Sequence, residues 1–471
     1  MLFNSFEFVF FFLPITWVLY LLLRLTWLRP VLLTISGYVF YAWGRPWVAL
    51  LLFASSTTDF LLGLWMDGTE NCRARKGILL ASLMFNLGIL GTFKYSGWLF
   101  ANLNEAMTAA ALTWKLPVLT VPLPPGISFY TFQSLAYIID IYRRKLRAHR
   151  RIWDYWSFVA FFPQLFAGPI ERAGHLLPQL THPRKRLNLR AMEWGVFMVL
   201  WGLMKKIVVA DNMGNLVELC RGNMAVPGSG VVLALAFTVQ IYADFSGYTD
   251  IARGCARLFG VRLRRNFLTP YFSRSPSEFW QRWHISLSSW IRDYVYIPLG
   301  GNRHGALRAV RNVLVTMLLA GLWHGAGWFF IAWGLYHGLL LVLYRLCPLD
   351  AWLTSALGNP GKVMAAICFF GLTVAGWVLF YLGSNETFGE VFFPEHAVAP
   401  TAGLRALTYG LCIFALPLVL TDWLAYRKNR EFIDLWPHLP PVGKTLLYVL
   451  VFYLIVMFGA RDSHEFIYFR F

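Results

Sequence analysis

The fold is decided by the stretch NVLVTMLLAGLWHGAGWFFIAWGLYHG, residues 312–338, in which a histidine interrupts a long apolar run. Apart from its two histidines, the stretch contains no acidic or basic side chain. A helix needs roughly 20 such residues to cross the hydrocarbon of a bilayer. An ionisable side chain is costly to keep inside a span, so His324 is predicted to be functional. The alternative is a histidine that is hydrogen-bonded between packed helices.

Composition extends this interpretation to the whole chain. Of 471 residues, 58% are hydrophobic and 14% are charged, and the mean hydropathy is +0.53. These values predict an all-α polytopic membrane protein in contact with lipids, forming one domain over residues 1–471. The net charge of +18 comes from short Lys and Arg clusters between apolar runs. Such clusters indicate positive-inside topology rather than binding to nucleic acid.

The apolar runs predict about 11 transmembrane helices. The basic clusters at 143–151 and 172–190 are both expected on the inside, and only the apolar stretch 152–170 separates them. That stretch contains Pro163 and Gly168, so it is predicted to be a re-entrant or in-plane element. Residues 253–312 are also expected to be cytoplasmic, with a Trp-rich helix at 277–296 that dips into the interface.

Topology places His324 deep in the membrane. If Asn312 marks the inner surface, His324 lies 324 − 312 = 12 residues further along, about 18 Å deep and near the midplane. Burial keeps an imidazole neutral, which suits a general base that takes a proton from a hydroxyl. The glycines beside it, such as Gly325, permit a ligand to approach closely, and Trp323 supplies an apolar wall.

A second histidine lies in FWQRWHISLSSWIRD, residues 279–293. Read as one helix, this segment places four residues on a shared face, namely Trp280, Trp283, His284 and Leu287. Arg282 and Arg292 are candidates for binding the phosphates of a cytosolic donor, since the guanidinium fork matches phosphate geometry. Ordinary inside-loop charges or contacts with lipid headgroups are the alternative.

Two carboxylates close to the membrane, Asp244 and Asp250, are also candidates. The first interpretation is that they pair with nearby arginines and hold helices together, and the second is a part in substrate binding. The final segment, HEFIYFRF (464–471), is aromatic and consistent with anchoring at the interface.

Several other site types lack their required groups. The chain has no HExxH, no GxSxG and no P-loop, which argues against zinc proteases, serine hydrolases and NTPases. His337 follows His324 by 13 residues and would point away from it on a continuous helix. A two-histidine metal site is therefore not expected, and His337 is interpreted as a structural or lining residue.

Five separated segments carry a family resemblance. They are PPGISFYTFQSLAYIIDIYR (124–143), FPQLFAGPIER (162–172), DFSGYTDIARG (244–254), FWQRWHISLSSWIRDYVYIPLGGNRHG (279–305) and MLLAGLWHGAGWFFIAWGLYHG (317–338). Together they resemble the bacterial branch of the membrane-bound O-acyltransferases (MBOAT), including the group that acetylates alginate, cellulose and other exopolysaccharides. The similarity runs over nearly the whole chain.

The resemblance implies an MBOAT-like helical core, about residues 120–345, that forms a two-sided funnel with a cytosolic and an extracytoplasmic mouth. The invariant histidine of the family maps onto His324 and its second histidine onto His284. The implied reaction is O-acetyl transfer, with acetyl-CoA as the donor substrate and no bound cofactor. The substrate-binding residues are then expected among Arg282, Trp283, Trp323, Asp244 and Arg292.

The resemblance also implies a bacterial inner-membrane location, a polysaccharide acceptor and a periplasmic partner of the SGNH or serine-hydrolase-like acetyltransferase type. The sequence supports a partner independently, because no gap between apolar runs is long enough for a folded extracytoplasmic domain. Peptidoglycan O-acetylation and D-alanyl transfer to teichoic acid are alternatives within the family. A transporter or flippase with a histidine proton relay is the alternative from another class.

Overall fold

The computed structural model describes residues 1–23, 25–118, 122–166, 168–183, 188–224, 226–383, 403–461 and 464–467. The chain forms two compact units. Unit one comprises residues 1–192 and 255–264, and unit two comprises residues 193–254 and 265–471. All seven residues that the sequence nominates for the site lie in unit two.

The described part of unit one is built from helices. Their bounds are α1 (Leu13–Leu22), α2 (Arg29–Ala42), α3 (Val48–Asp67), α4 (Cys72–Leu90), α5 (Ser96–Ala109), α6 (Ile127–Tyr142), α7 (Ile152–Val159), α8 (Phe162–Leu165) and α9 (Ala173–Thr181). A π-helical turn at Gly91–Tyr95 joins α4 to α5 into one continuous helix.

The helices that follow along the chain form most of unit two. Their bounds are α10 (Leu189–Met204), α11 (Asp211–Gly222), α12 (Ser229–Leu258), α13 (Pro276–Arg282), α14 (Ile285–Ile291), α15 (Ala306–His324), α16 (Trp328–Leu346), α17 (Leu349–Leu357), α18 (Asn359–Gly383), α19 (Leu404–Lys428) and α20 (Pro441–Phe458). A π-helical segment at Lys205–Ala210 connects α10 to α11.

Eight of the described helices are long and apolar enough to cross a membrane, and one of them is the continuous helix Cys72–Ala109. This confirms an all-helical membrane protein, whereas the count of about 11 spans is not confirmed. A shorter apolar helix covers Phe8–Leu22. The described residues of the stretch 152–170 form the short helices α7 and α8. Its interpretation as a re-entrant or in-plane element stays a prediction.

The helices α15 and α16 meet at two glycines. A Cβ added to Gly321 would lie 2.2 Å from the carbonyl oxygen of Phe330, and one added to Gly334 would lie 2.3 Å from that of Met317. Only residues without a side chain let two helical backbones approach this closely. Both glycines lie within one turn of residues that form the candidate site, so this contact helps to fix the site's geometry.

Candidate active site

His324 is the last residue of α15 and is only 2% exposed. The helix ends there because Gly325 and Gly327 adopt extended backbone conformations before α16 begins. Three aromatic rings surround the imidazole, with centroids at 5.0 Å for Trp323, 4.9 Å for Trp333 and 5.2 Å for Phe380. This apolar shell excludes water from the ring.

His284 lies at a break between two short helices. Its backbone is left-handed, with φ 41° and ψ 53°, and the side chain is fully buried. A left-handed non-glycine residue is uncommon and persists only where its surroundings enforce it. Asn266 provides that enforcement, since its carbonyl accepts from Ile285 N–H at 2.9 Å and its Oδ1 accepts from Ser286 Oγ at 2.6 Å.

This break corrects the prediction of one helix with Trp280, Trp283, His284 and Leu287 on a shared face. The chain forms α13 and α14 instead, because the left-handed turn at His284 cannot belong to a helix. Trp283, His284 and Leu287 are nevertheless all buried. Tertiary packing, rather than a helical face, brings them together.

Burial lowers the pKa of the His284 imidazole to about 3. The ring is therefore neutral at physiological pH, with one nitrogen able to donate and one able to accept a hydrogen bond. It packs against Phe245, at 4.7 Å between ring centroids, and against Trp323, at 6.0 Å. Trp323 thus contacts both His284 and His324, and the two histidines belong to one cluster.

His337 also approaches this cluster, which corrects the assumption of a continuous helix through His324. The histidine lies on α16, a separate helix, and is 1% exposed. Its ring is 4.7 Å from that of Trp333, the same indole that contacts His324. The structure therefore places His337 in the packed interior, one aromatic ring away from His324.

Trp333 was not identified from the sequence, although it is fully buried and contacts two histidines. Its spacing offered one signal. Trp333 and His337 are four residues apart and therefore share one face of a helix. The sequence did not show that this face of α16 packs against His324, because the contact depends on the turn between α15 and α16.

A cavity of about 520 Å³ lies next to the histidine cluster. It is lined by residues of α13–α16, among them Trp280, Thr316 and Ala320, and by Arg292. Ala320 precedes His324 by one helical turn, so the cavity lies along the same face of α15 as His324, although neither His284 nor His324 is among its lining residues. The Arg292 side chain is 63% exposed, which places the opening of the cavity beside it. The volume falls within the usual range for small-molecule sites.

The two arginines nominated as phosphate ligands have different surroundings. Arg292 lines the cavity and forms an ion pair with Asp293 at 2.9 Å. Arg282 pairs with Glu278 at 3.0 Å and donates to the carbonyl oxygen of Leu268 at 3.1 Å. These contacts hold Arg282 against the chain, and it is not among the residues that line the cavity. Arg292 is the better placed of the two.

Trp283 is part of the packed interior, since its side chain is fully buried. Its ring lies 4.7 Å from that of Trp377 and 5.0 Å from that of Phe267. A contact between Trp283 and substrate stays a prediction.

Asp244 lies in a buried ion network. Lys206 pairs with Asp244 at 2.9 Å and with Asp211 at 2.8 Å. Pairing was expected, but the partner is a lysine rather than an arginine. The backbone N–H of Ile467 also donates to Asp244 at 2.7 Å.

The contact with Ile467 revises the interpretation of the C-terminal segment. Phe466 is fully buried and its ring lies 5.8 Å from that of Phe245, the residue that packs on His284. Phe466 and Ile467 therefore pack into the protein rather than at an interface with lipid. Residues 468–471 of the segment lie outside the described residues.

Comparison with known proteins adds an independent line of observation. Residues 142–380 match the model of the membrane-bound O-acyltransferase family. The chain is 37% identical to the probable alginate O-acetylase AlgI of Pseudomonas putida, with 100% of both chains covered. It is 42% identical to the protein of that name in Pseudomonas aeruginosa, over 81% of this chain and 72% of the relative.

Another relative is named for a different acceptor, peptidoglycan. The chain is 34% identical to the peptidoglycan O-acetyltransferase of Helicobacter pylori, over 82% of this chain and 78% of the relative. The matched family region contains both His284 and His324.

Proposed function

Because this chain belongs to the membrane-bound O-acyltransferase family, we propose that it transfers acetyl groups from cytosolic acetyl-CoA toward a polysaccharide outside the bacterial inner membrane. The protein is an acyltransferase with multiple candidate spans. Its relatives named as alginate O-acetylases match over most of both chains and favour an acetylated exopolysaccharide such as alginate. Cellulose acetylation fits the same chemistry.

The observation that best supports the proposal is that the buried rings of His284 and His324 both contact Trp323, beside the 520 Å³ cavity. The cavity offers room for the acyl-bearing arm of a donor, and Arg292 stands at its opening to meet phosphate groups. The proposed catalytic core, about residues 120–345, overlaps most of the matched family region.

In the proposed reaction, a ring nitrogen of His324 accepts the proton of the acceptor hydroxyl. The hydroxyl oxygen then bonds to the thioester carbonyl carbon, and the carbon–sulfur bond breaks. The departing CoA thiolate takes the proton back from the His324 imidazolium, so no proton is gained or lost overall. His284, being neutral, donates a hydrogen bond that positions the thioester or holds its oxyanion.

The test is acetyl-CoA turnover by the detergent-purified full chain with an acceptor saccharide. We expect His324→Ala to lower turnover by about 10²–10⁴-fold, the usual contribution of a general base. The control is His182→Ala, an exposed histidine in unit one, which should retain wild-type turnover. Equal turnover by His324→Ala and the wild type, with unchanged folding, would contradict the assignment of the base.

Delivery to a bulky polymer is proposed to require a separate periplasmic acetyltransferase of the SGNH type, since no gap between apolar runs in the sequence is long enough to hold such a domain. Co-purification and reconstituted polymer acetylation test this step. Full acetylation of the polymer by the isolated chain would contradict it.

Peptidoglycan is the second candidate acceptor, because the Helicobacter pylori relative named for it matches over 82% of this chain. Reconstitution with alginate, cellulose and peptidoglycan fragments in parallel would decide between the acceptors. The same assay with a carrier-linked D-alanyl donor separates D-alanyl transfer from acetyl transfer.

A further inference from the structure

A second cavity, of about 30 Å³, shares no lining residue with the cavity beside His324. It is lined by charged and hydroxyl side chains from the π-helical segment after α10, from α12, from α19 and from the region around Glu431. All of these residues belong to unit two. Ionisable groups buried within candidate spans are costly, so such a cluster calls for an explanation.

The charges that line this cavity do not balance. Lys205 Nζ donates to Asp250 at 2.8 Å, and Arg253 donates two hydrogen bonds to Glu431, at 3.0 and 2.8 Å. Asp422 also lines the cavity, but within the described residues it forms no salt bridge. The lining therefore holds three carboxyl groups and two cations, and its formal charges sum to −1, which is costly in a medium of low dielectric.

Two hydroxyl groups of the lining already donate their hydrogens to other residues. Tyr242 OH donates to Asp422 Oδ2 at 2.7 Å, and Thr421 Oγ1 donates to the carbonyl of Pro417 at 2.8 Å. Their hydrogens are thus committed, and their lone pairs remain available. Ser246 Oγ also lines the cavity, is 2% exposed at residue level and has no hydrogen-bond partner among the described residues.

The volume is that of about two water-sized species. Water would fill the space without neutralising the surplus charge, whereas a small cation does both. Oxygen ligands suit hard cations. The described residues contain no group of three or more His, Cys, Asp or Glu side chains that could hold a metal ion, so the lining does not match a divalent or transition-metal site.

We propose that this cavity binds one monovalent alkali cation of the sodium class, with Asp422 as its counter-charge and the Ser246 hydroxyl as a ligand. The cation neutralises the surplus carboxylate and bridges α12 to α19. The site is independent of acyl transfer, because none of its residues lines the cavity beside His324. Its function is to stabilise the fold of unit two.

The test is the melting temperature of the detergent-purified full chain at constant ionic strength in sodium, potassium or N-methylglucamine chloride. A ligand that binds the native state stabilises it in proportion to the logarithm of its concentration above the dissociation constant. We expect sodium to raise the melting temperature of the wild type relative to N-methylglucamine, by an amount that grows with the logarithm of the sodium concentration. A wild type that melts at the same temperature in all three salts overturns the proposal and leaves a proton or water as the occupant.

Two variants sharpen the test. Asp422→Asn removes the surplus charge and should lose the sodium response. Ser246→Ala should raise the dissociation constant for sodium, obtained from the melting temperatures, about tenfold, the factor for 1.4 kcal/mol. The matched control is Asp293→Asn, a surface carboxylate outside this cavity, which should respond to sodium as the wild type does. An unchanged sodium response in both Asp422→Asn and Ser246→Ala would also overturn the proposal.

Discussion

Replacing Gly321 with alanine tests whether the close approach of α15 and α16 fixes the site. The added Cβ would lie 2.2 Å from the backbone oxygen of Phe330 and 3.0 Å from Cα of Gly334. Both contacts are with backbone, so no flexible side chain can move aside. The two helices must separate for the methyl group to fit.

The required shift follows from the distances. Cβ atoms essentially never approach another heavy atom closer than 3.0 Å, so the contact must open by at least 3.0 − 2.2 = 0.8 Å. His324 lies three residues after Gly321 on α15, and Trp333, which packs on His324, directly precedes Gly334 on α16. A misplacement of about 1 Å in a catalytic arrangement costs about 10²-fold in rate. Overpacking of this kind also costs about 1–3 kcal/mol of stability.

The assay is acetyl-CoA turnover beside thermal unfolding of the purified chain. We expect Gly321→Ala to fold, to melt at a lower temperature and to lose about 10²-fold in kcat. Gly371→Ala is the matched control, because a Cβ at this helical glycine of α18 meets no atom within 4 Å. It should keep full activity and gain about 0.5–1 kcal/mol from its helix propensity. Wild-type turnover and melting of Gly321→Ala would refute the reasoning.

Three further perturbations test separate parts of the molecule. Arg292→Ala should raise KM for acetyl-CoA about tenfold or more with little change in kcat, because it removes phosphate contacts at the cavity opening and leaves the general base His324 in place. An unchanged KM would show that Arg292 does not contact the donor. Burial lowers the pKa of His284 from 6.5 to about 3, so between these pH values the unfolded chain binds a proton that the folded chain does not. The free energy of unfolding therefore falls as the pH falls, by about 1.4 kcal/mol between pH 7.5 and pH 5.5. Denaturant titrations at these two pH values should show that His284→Gln lacks the loss of about 1.4 kcal/mol contributed by the histidine. Equal losses in both proteins would contradict the burial of a neutral ring. Lys206→Met should lower stability by about 3–5 kcal/mol, because it leaves Asp211 and Asp244 buried without their cation. Arg221→Met breaks only the exposed pair with Glu218 and should cost less than about 1 kcal/mol in the same thermal assay.

The sequence predicted both histidines of the cluster from local features. His324 was conspicuous because an ionisable group inside an apolar run has few structural explanations. His284 was found through its aromatic and basic neighbours, but its helix was wrongly assigned as continuous. No local sequence pattern predicted the left-handed backbone at His284. Hydrogen bonds to Asn266, which lies outside residues 279–293, enforce that conformation.

The basic and acidic candidates show the limit of the same reasoning. Arg282 and Arg292 look alike along the chain, and only the folded structure directs Arg282 to Glu278 and places Arg292 at a cavity. Asp244 was expected to form an ion pair with an arginine, but its partner is Lys206 on another helix. Charge type can be read from sequence, whereas the identity of the partner depends on which helices pack together.

Hydropathy and charge distribution by themselves determined that this chain is a helical membrane protein, since a long apolar segment in a bilayer satisfies its polar backbone groups by forming a helix. The resemblance of five motifs was enough to indicate its acyltransferase family, and the apolar run around His324 was enough to single out that residue. Only the tertiary structure decided that Trp323 joins His284 to His324, that Trp333 brings His337 beside them, and that an unbalanced carboxylate faces a small cavity at Asp422. These contacts join residues far apart in the chain, and their geometry is set by helix packing rather than by local sequence.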